Sequence, residues 1–230
     1  MKRSELNQIL QENVDFIAGM NFKLPPFAFW TAEDWKNKDD RYCEIKDNML
    51  GWDITDFGYG DFHKIGLLMF TIRNGSLVDA RYPKPYAEKL LITEENQVTP
   101  YHYHYQKMED IINRGGGNLL VKLFNRTEDD GLDQESPVTV YVDGFRNEVP
   151  AGTVIRLKPG ESITLYPGVY HSFWGEEGCG KILVGEVSKV NDDRTDNHFL
   201  EKTGRFPEIE EDEAPLYLLY QDYAEMGTKA

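Results

Sequence analysis

Apolar and polar residues alternate in short runs through the middle of the chain, the period of half-buried strands. Strands are predicted over 63–72, 77–82, 87–94, 98–105, 117–124, 137–142, 145–149, 153–157, 162–166, 169–174 and 181–189. Asn74-Gly75, Glu95-Asn96 and Asp143-Gly144 carry hairpin chemistry between them. Many short strands joined by tight turns specify an antiparallel sandwich or barrel. The ends of the chain read differently. Residues 4–18 repeat Leu6, Ile9, Leu10, Val14 and Ile17 at helical spacing, with Ser4 as N-cap and Gly19 as stop. Pro25-Pro26 breaks the chain, and Thr31 opens a short capped helix. Trp30, Trp35 and Trp52 are expected to close one end of the barrel, and 51–60 reads as a turn-rich connector. The acidic run Glu208–Glu213 reads as a solvated stretch, and Leu216–Tyr220 as a segment docking on the barrel or on another subunit. The division is thus an N-terminal helical and aromatic extension (1–60), a β-barrel (61–190) and a C-terminal extension (191–230), all in one compact domain.

Composition narrows the partners. With 40% hydrophobic and 13% aromatic residues over 230 positions, the chain can bury a substantial core. A net charge of -15 argues against nucleic acid and anionic membrane surfaces. Cys43 and Cys179 are the only cysteines; their pairing stays open, but two scattered thiols suit a reduced, cytoplasmic protein. The N-terminus has no apolar leader, and no run approaches the roughly 20 apolar residues of a membrane span.

Candidate chemistry concentrates in Pro100–Glu109. On a strand, His102 and His104 share one face while Tyr101, Tyr103 and Tyr105 share the other. Two imidazoles on one face can grip a single metal ion, and Glu109 must return to them across a turn. His171 is a distant fourth donor, flanked by Gly160 and Gly168. Three imidazoles and a carboxylate suit Mn, Fe, Ni or Zn. Of 5 histidines, His63 and His198 lack ligand spacing and read as structural.

His-x-His, four residues, then Glu, with Gly116 beyond it, resembles the first metal motif of the cupin superfamily. Gly160, Gly168 and His171 resemble the second. Asn96, Tyr166 and Gly175 depart from the usual residues at turn or flanking positions. The resemblance implies a cupin jelly roll with His102, His104, Glu109 and His171 as metal ligands. Pro83–Leu91, Glu109–Gly117, Val184–Asn197 and Gly204–Glu213 further resemble the cupin-type D-lyxose isomerases, a likeness that runs through most of the chain. That family implies an aldose–ketose isomerase acting on D-lyxose and D-xylulose, with D-mannose and D-fructose as a second pair. It also implies a divalent metal, Mn2+ above all, and a homodimer.

Such a reaction needs a carboxylate to carry a proton between adjacent carbons and a cation near the oxygens. Val184, Glu186 and Ser188 alternate onto one strand face. If that face is interior, Glu186 faces the metal; in the opposite register it is solvated. The polar run after the strand favours the interior. Lys89, otherwise an ordinary surface lysine, becomes by the resemblance a contact for sugar hydroxyls or the enediolate. Asp193 and Arg194 are candidate sugar contacts at the barrel mouth, and Glu201 is a second carboxylate candidate behind Glu186. The rival readings are an iron-dependent cupin oxygenase, a phosphosugar isomerase, for which no phosphate cradle is evident, and a non-catalytic sugar-binding cupin.

Overall fold

The strand that carries Glu186 lies inside a sheet and is buried on both faces from Ile182 to Glu186, and the rest of the fold explains why. The computed structural model describes residues 1–190, 192–204 and 206–225. Its strands are β1 (Gly51–Thr55), β2 (Leu67–Arg73), β3 (Tyr86–Thr93), β4 (Thr99–His104), β5 (Glu109–Gly116), β6 (Leu119–Arg126) and β7 (Leu132–Asp133). They continue as β8 (Val138–Val142), β9 (Phe145–Val149), β10 (Val154–Leu157), β11 (Ser162–Leu165), β12 (Val169–Gly175), β13 (Ile182–Lys189) and β14 (Asn197–Phe199). One sheet runs β1-β2-β3-β13-β5-β11-β8-β9, and the other β10-β6-β12-β4-β14 with β7 beside β6. The named strand pairings are antiparallel. This is a cupin-like sandwich, with Leu119, Val121, Val140, Ile163, Phe173 and Val184 in the core between the sheets.

A second apolar layer covers the outside of the larger sheet. Helix α1 (Arg3–Gly19) lays Leu6, Ile9, Leu10 and Ile17 against Phe70, Leu90, Ile92 and Leu183. The sheet is therefore dry on both sides along β1, Leu67–Thr71 of β2, Lys89–Thr93 of β3 and Ile182–Glu186 of β13, where the strands are continuously buried. Helix α2 (Ala32–Lys36) starts at the expected cap, where Thr31 and Asp34 form a reciprocal capping box. The short α3 (Cys43–Asp47) follows. Trp30 and Trp35 pack with Tyr42, Leu218 and Tyr223 at one edge, whereas Trp52 lies under α1.

Several local expectations are corrected. The 51–60 stretch is not all connector: Gly51–Thr55 is a strand buried throughout, because Trp52 and Ile54 meet the α1 layer while Thr55 meets the cavity. The predicted strand 77–82 is a turn segment whose Leu77 and Val78 are exposed. β5 was absent from the predicted set because Glu109, Asp110, Asn113 and Arg114 mask its period; Asn113 is buried by bonding to the carbonyls of Gly117 and Leu157. Within the acidic tail, Glu211 pairs with Arg3 and Asp212 caps Ser4, so these two tie the tail to α1. Leu218 and Leu219 are buried, Leu219 beside Trp52, so that segment docks on the barrel.

Of the three expected hairpins only Asp143-Gly144 joins paired strands: Asn74-Gly75 leads into a turn segment, and Glu95-Asn96 connects β3 and β4 of different sheets. Asp143 (φ 48) and Gly144 (φ 80) both adopt the left-handed conformation that a two-residue hairpin needs. Asn96 (φ 57) adopts it too, at the position where it stands for glycine.

Candidate active site

Opposite sheets supply opposite halves of the site. On β4, His102 and His104 point inward and Tyr103 outward. β12 pairs with β4 so that His171 lies opposite His102, and β14 pairs so that Asn197 lies opposite His104. From the other sheet, β13 runs between β3 and β5, with Glu186 opposite both Lys89 and Ile111 and Ser188 opposite Glu109. The two inner faces enclose a cavity of about 60 Å³. Its apolar lining comprises Phe57, Met69, Leu91, Ile111, Phe173 and Phe199, with Gly204 of the C-terminal tail beside them. The tail crosses the 56–60 turn so closely that a Cβ on Gly58 would come 2.8 Å from the Gly204 nitrogen.

The donor atoms of His102, His104 and His171 all lie within 4.8 Å of one another, and all three residues are buried. Their orientation follows from what holds the other ring nitrogen. Nδ1–H of His102 donates to the Pro100 carbonyl (2.9 Å), that of His171 to the Val169 carbonyl (3.1 Å), and that of His104 to Asn197 Oδ1 (2.8 Å). A carbonyl oxygen only accepts, so each Nε2 is left as an unprotonated lone-pair donor. Burial, then the neighbouring imidazoles, hold His102 below the ordinary histidine range. For His104, burial and next the Lys107 ammonium do the same. Glu109 Oε1 stands 3.2 Å from Nε2 of both His104 and His171. An acceptor thus faces acceptors, and the buried His171 Nε2 has no hydrogen-bond partner among the described residues. A cation resolves this arrangement, and the donor set suits a divalent first-row metal.

A row of buried charges leads away from these donors. Lys107 Nζ contacts Glu109 Oε2 at 2.6 Å and Glu186 Oε1 at 3.0 Å. Lys89 Nζ lies 3.5 Å from the same Glu186 oxygen and 2.9 Å from Asp193. Ser188 Oγ also donates to Glu186 Oε1 (3.0 Å). For Lys107, burial alone would favour the neutral amine, but the carboxylates of Glu109, Glu186 and Asp193 outweigh it and raise its pKa. Glu109 is held well below the usual carboxylate range: burial opposes this, and the Lys107 ammonium overcomes it.

Of the residues singled out in the sequence, the structure gathers His102, His104, Glu109, His171, Lys89, Glu186 and Asp193 around one cavity. It leaves two outside the lining. Arg194 folds back onto Asp192 in a surface pair (2.7 Å), and Glu201 is exposed. Lys107 and Asn197 went unrecognised. Lys107 had a signal, an ammonium two residues before the motif glutamate; Asn197 had none, since its partner is 93 residues away.

Fold and donor cluster together define a cupin-type β-sandwich with a buried three-histidine cluster that could hold a metal ion. The L-ribose isomerase of Cellulomonas parahominis shares this fold, with a TM-score of 0.61 and 16% identity, over 91% of this chain and 98% of that one. The family model for D-lyxose isomerase matches residues 1–223, and the chain belongs to that family. It is 53% identical over 224 residues to the D-lyxose/D-mannose isomerase of Serratia proteamaculans, spanning 97% of this chain and 98% of that protein. It is 48% identical to the enzyme of the same name from Escherichia coli O157:H7, over 97% of this chain and 98% of the relative.

Proposed function

We propose that this chain interconverts D-lyxose and D-xylulose, with D-mannose and D-fructose as a second pair, through a cis-enediol. The supporting observation is the continuous row from the half-buried Asp193 through the buried Lys89, Glu186, Lys107 and Glu109 into three imidazoles within one cavity. His102, His104, His171 and Glu109 would hold the divalent metal, manganese in this reading. When bound, that ion supplies Lewis-acid polarisation of adjacent sugar oxygens.

Glu186 is the proton carrier. Its carboxylate takes the proton from C2 of the aldose and returns it to C1 of the enediol, while the O2 hydroxyl proton passes to O1 so that the carbonyl moves from C1 to C2. Ser188 and the two lysine ammoniums orient Glu186 Oε1. The same ammoniums place positive charge where the enediol oxygens become negative. Asp193 keeps Lys89 directed inward, and both line the sugar cavity. The apolar lining excludes water and offers carbon surface to the sugar C–H groups. The family resemblance supports a homodimer, and the free thiols of Cys43 and Cys179 suit a reducing cytoplasm.

The test is ketose formation from D-lyxose by chelator-stripped protein, with and without Mn2+. Xylulose that appears only with the metal supports the reading. Protein that binds Mn2+ and forms no ketose from D-lyxose or D-mannose overturns it.

A further inference from the structure

Residues 192–199 reach the site at several points. Asp193 holds Lys89, Asn197 orients His104, and the Phe199 ring stacks on His102 with centroids 5.2 Å apart. One further contact lies away from the cavity. The two carboxylate oxygens of Asp196 accept the backbone N–H groups of Gln106 (2.9 Å) and Lys107 (3.0 Å), one each. Its carbonyl accepts from the Tyr105 N–H at 3.0 Å. Asp196 closes the last turn of α4 (Asp193–Asp196) and is not among the cavity-lining residues.

These bonds hold the turn joining β4 to β5. The turn lies at the surface, with Gln106 exposed and Tyr105 47% exposed. Tyr105 is held through its ring and hydroxyl by Tyr103 and His198, contacts that leave the Gln106 and Lys107 amides to Asp196. Lys107 leaves the same turn, yet its ammonium is buried between Glu109 and Glu186. A lysine stem is long and flexible, so the reach of its Nζ depends on where the backbone places its Cα. Charge-assisted bonds to two successive N–H groups are strong and fix that backbone in position and direction.

We propose that Asp196 is a positioning residue: by clamping the Gln106 and Lys107 amides it sets Lys107 against the Glu186 carboxylate. The proposal rests on the isomerase reading above, and its test separates the two. Asp196→Ala removes both acceptors; Asp196→Asn keeps one oxygen and turns a donor toward the other amide. Each full-length variant is compared with wild type for kcat and KM on D-lyxose and for Mn2+ affinity after chelator stripping. Amide hydrogen exchange of the peptide spanning 105–109 is followed in parallel.

Misplacement by about 1 Å costs on the order of 100-fold in rate, so Asp196→Ala should lose about 10- to 100-fold in kcat. KM and Mn2+ affinity should stay at wild-type values, and exchange should accelerate at 105–107. Asp196→Asn should fall between wild type and Asp196→Ala, and it carries the test if the alanine variant does not fold. Wild-type kcat in both variants overturns the proposal. So does a kcat loss that tracks Mn2+ affinity, which would place the effect on His104, or exchange that does not change. Absence of wild-type turnover would sink the isomerase reading, while the exchange measurement still decides whether Asp196 holds the turn.

Discussion

The two faces of β3 and β13 use the same backbone for opposite ends. Toward α1, Leu90, Ile92 and Leu183 meet Phe70 in a layer of hydrocarbon. Toward the cavity, Leu91 and Val184 pack at one end, but Lys89, Glu186 and Ser188 take over at the other. Burying an apolar side chain contributes about 1.5–3 kcal/mol, whereas burying an ion pair repays its desolvation poorly. The outer face therefore carries stability, and the inner end is where the proposed chemistry sits. Lysines and carboxylates at 3–6% exposure persist there because each is paired, Glu186 with two ammoniums at once.

The comparison is open to attack from both sides. The largest effect should come from His171→Ala, which removes one Nε2 donor and should abolish turnover together with Mn2+ binding. Full Mn2+ affinity in that variant would mean that the cluster is not the metal site. Next, Glu186→Gln keeps the shape and all four proposed ligands. It should lose about 10²- to 10⁴-fold in kcat while Mn2+ affinity holds, since it removes the proton carrier, and with it one counter-charge of Lys89 and Lys107, but none of the proposed ligands. Near-normal turnover would redirect the proton to another carboxylate.

On the outer face, Phe70→Ala empties a fully buried site between Phe27 and Trp52. It should destabilise the fold by about 3–5 kcal/mol in urea titration, yet leave kcat intact at a temperature where the variant is folded. A selective kcat loss there would show that the two faces are not separable.

The smallest effect concerns the tie between α1 and the tail. The Arg3 guanidinium, bonded to Glu211, holds that carboxyl below its usual range, and the Ser4 N–H does so for Asp212. Depressed carboxylates stabilise the fold fully above their unfolded pKa of about 4 and lose that contribution as pH falls through the lower folded value. Melting temperatures between pH 5 and pH 3 should therefore drop less steeply for Arg3→Ala than for wild type. Parallel slopes would remove the tie from the stability of this face. Glu211 is largely exposed, so the difference should be small.

How much of this was legible beforehand varied with the range of the interaction. The amphipathic helix expected over 4–18, the Thr31 cap and the Asp143-Gly144 hairpin were readable because their causes lie within a few residues. The helix nevertheless begins at Arg3 with Lys2, not Ser4, at its N-cap, and includes Gly19 as its last residue. So was the shared face of His102 and His104, which strand period alone dictates. β1 and β5 were missed where polar side chains face a buried interior, a situation local alternation reports as loop.

The sequence by itself determined the β-rich pattern, the alternation that groups the histidines, and the family motifs that carry Glu109 and His171. Only the tertiary structure decided that Glu186 faces inward, because β13 could present either side until α1 covered one of them. It alone brought Lys107 between two carboxylates and set Asn197 behind His104, 93 residues apart in sequence. Alternation is a property of neighbouring residues, whereas the sign and spacing of charges in a cavity depend on how two sheets register across it.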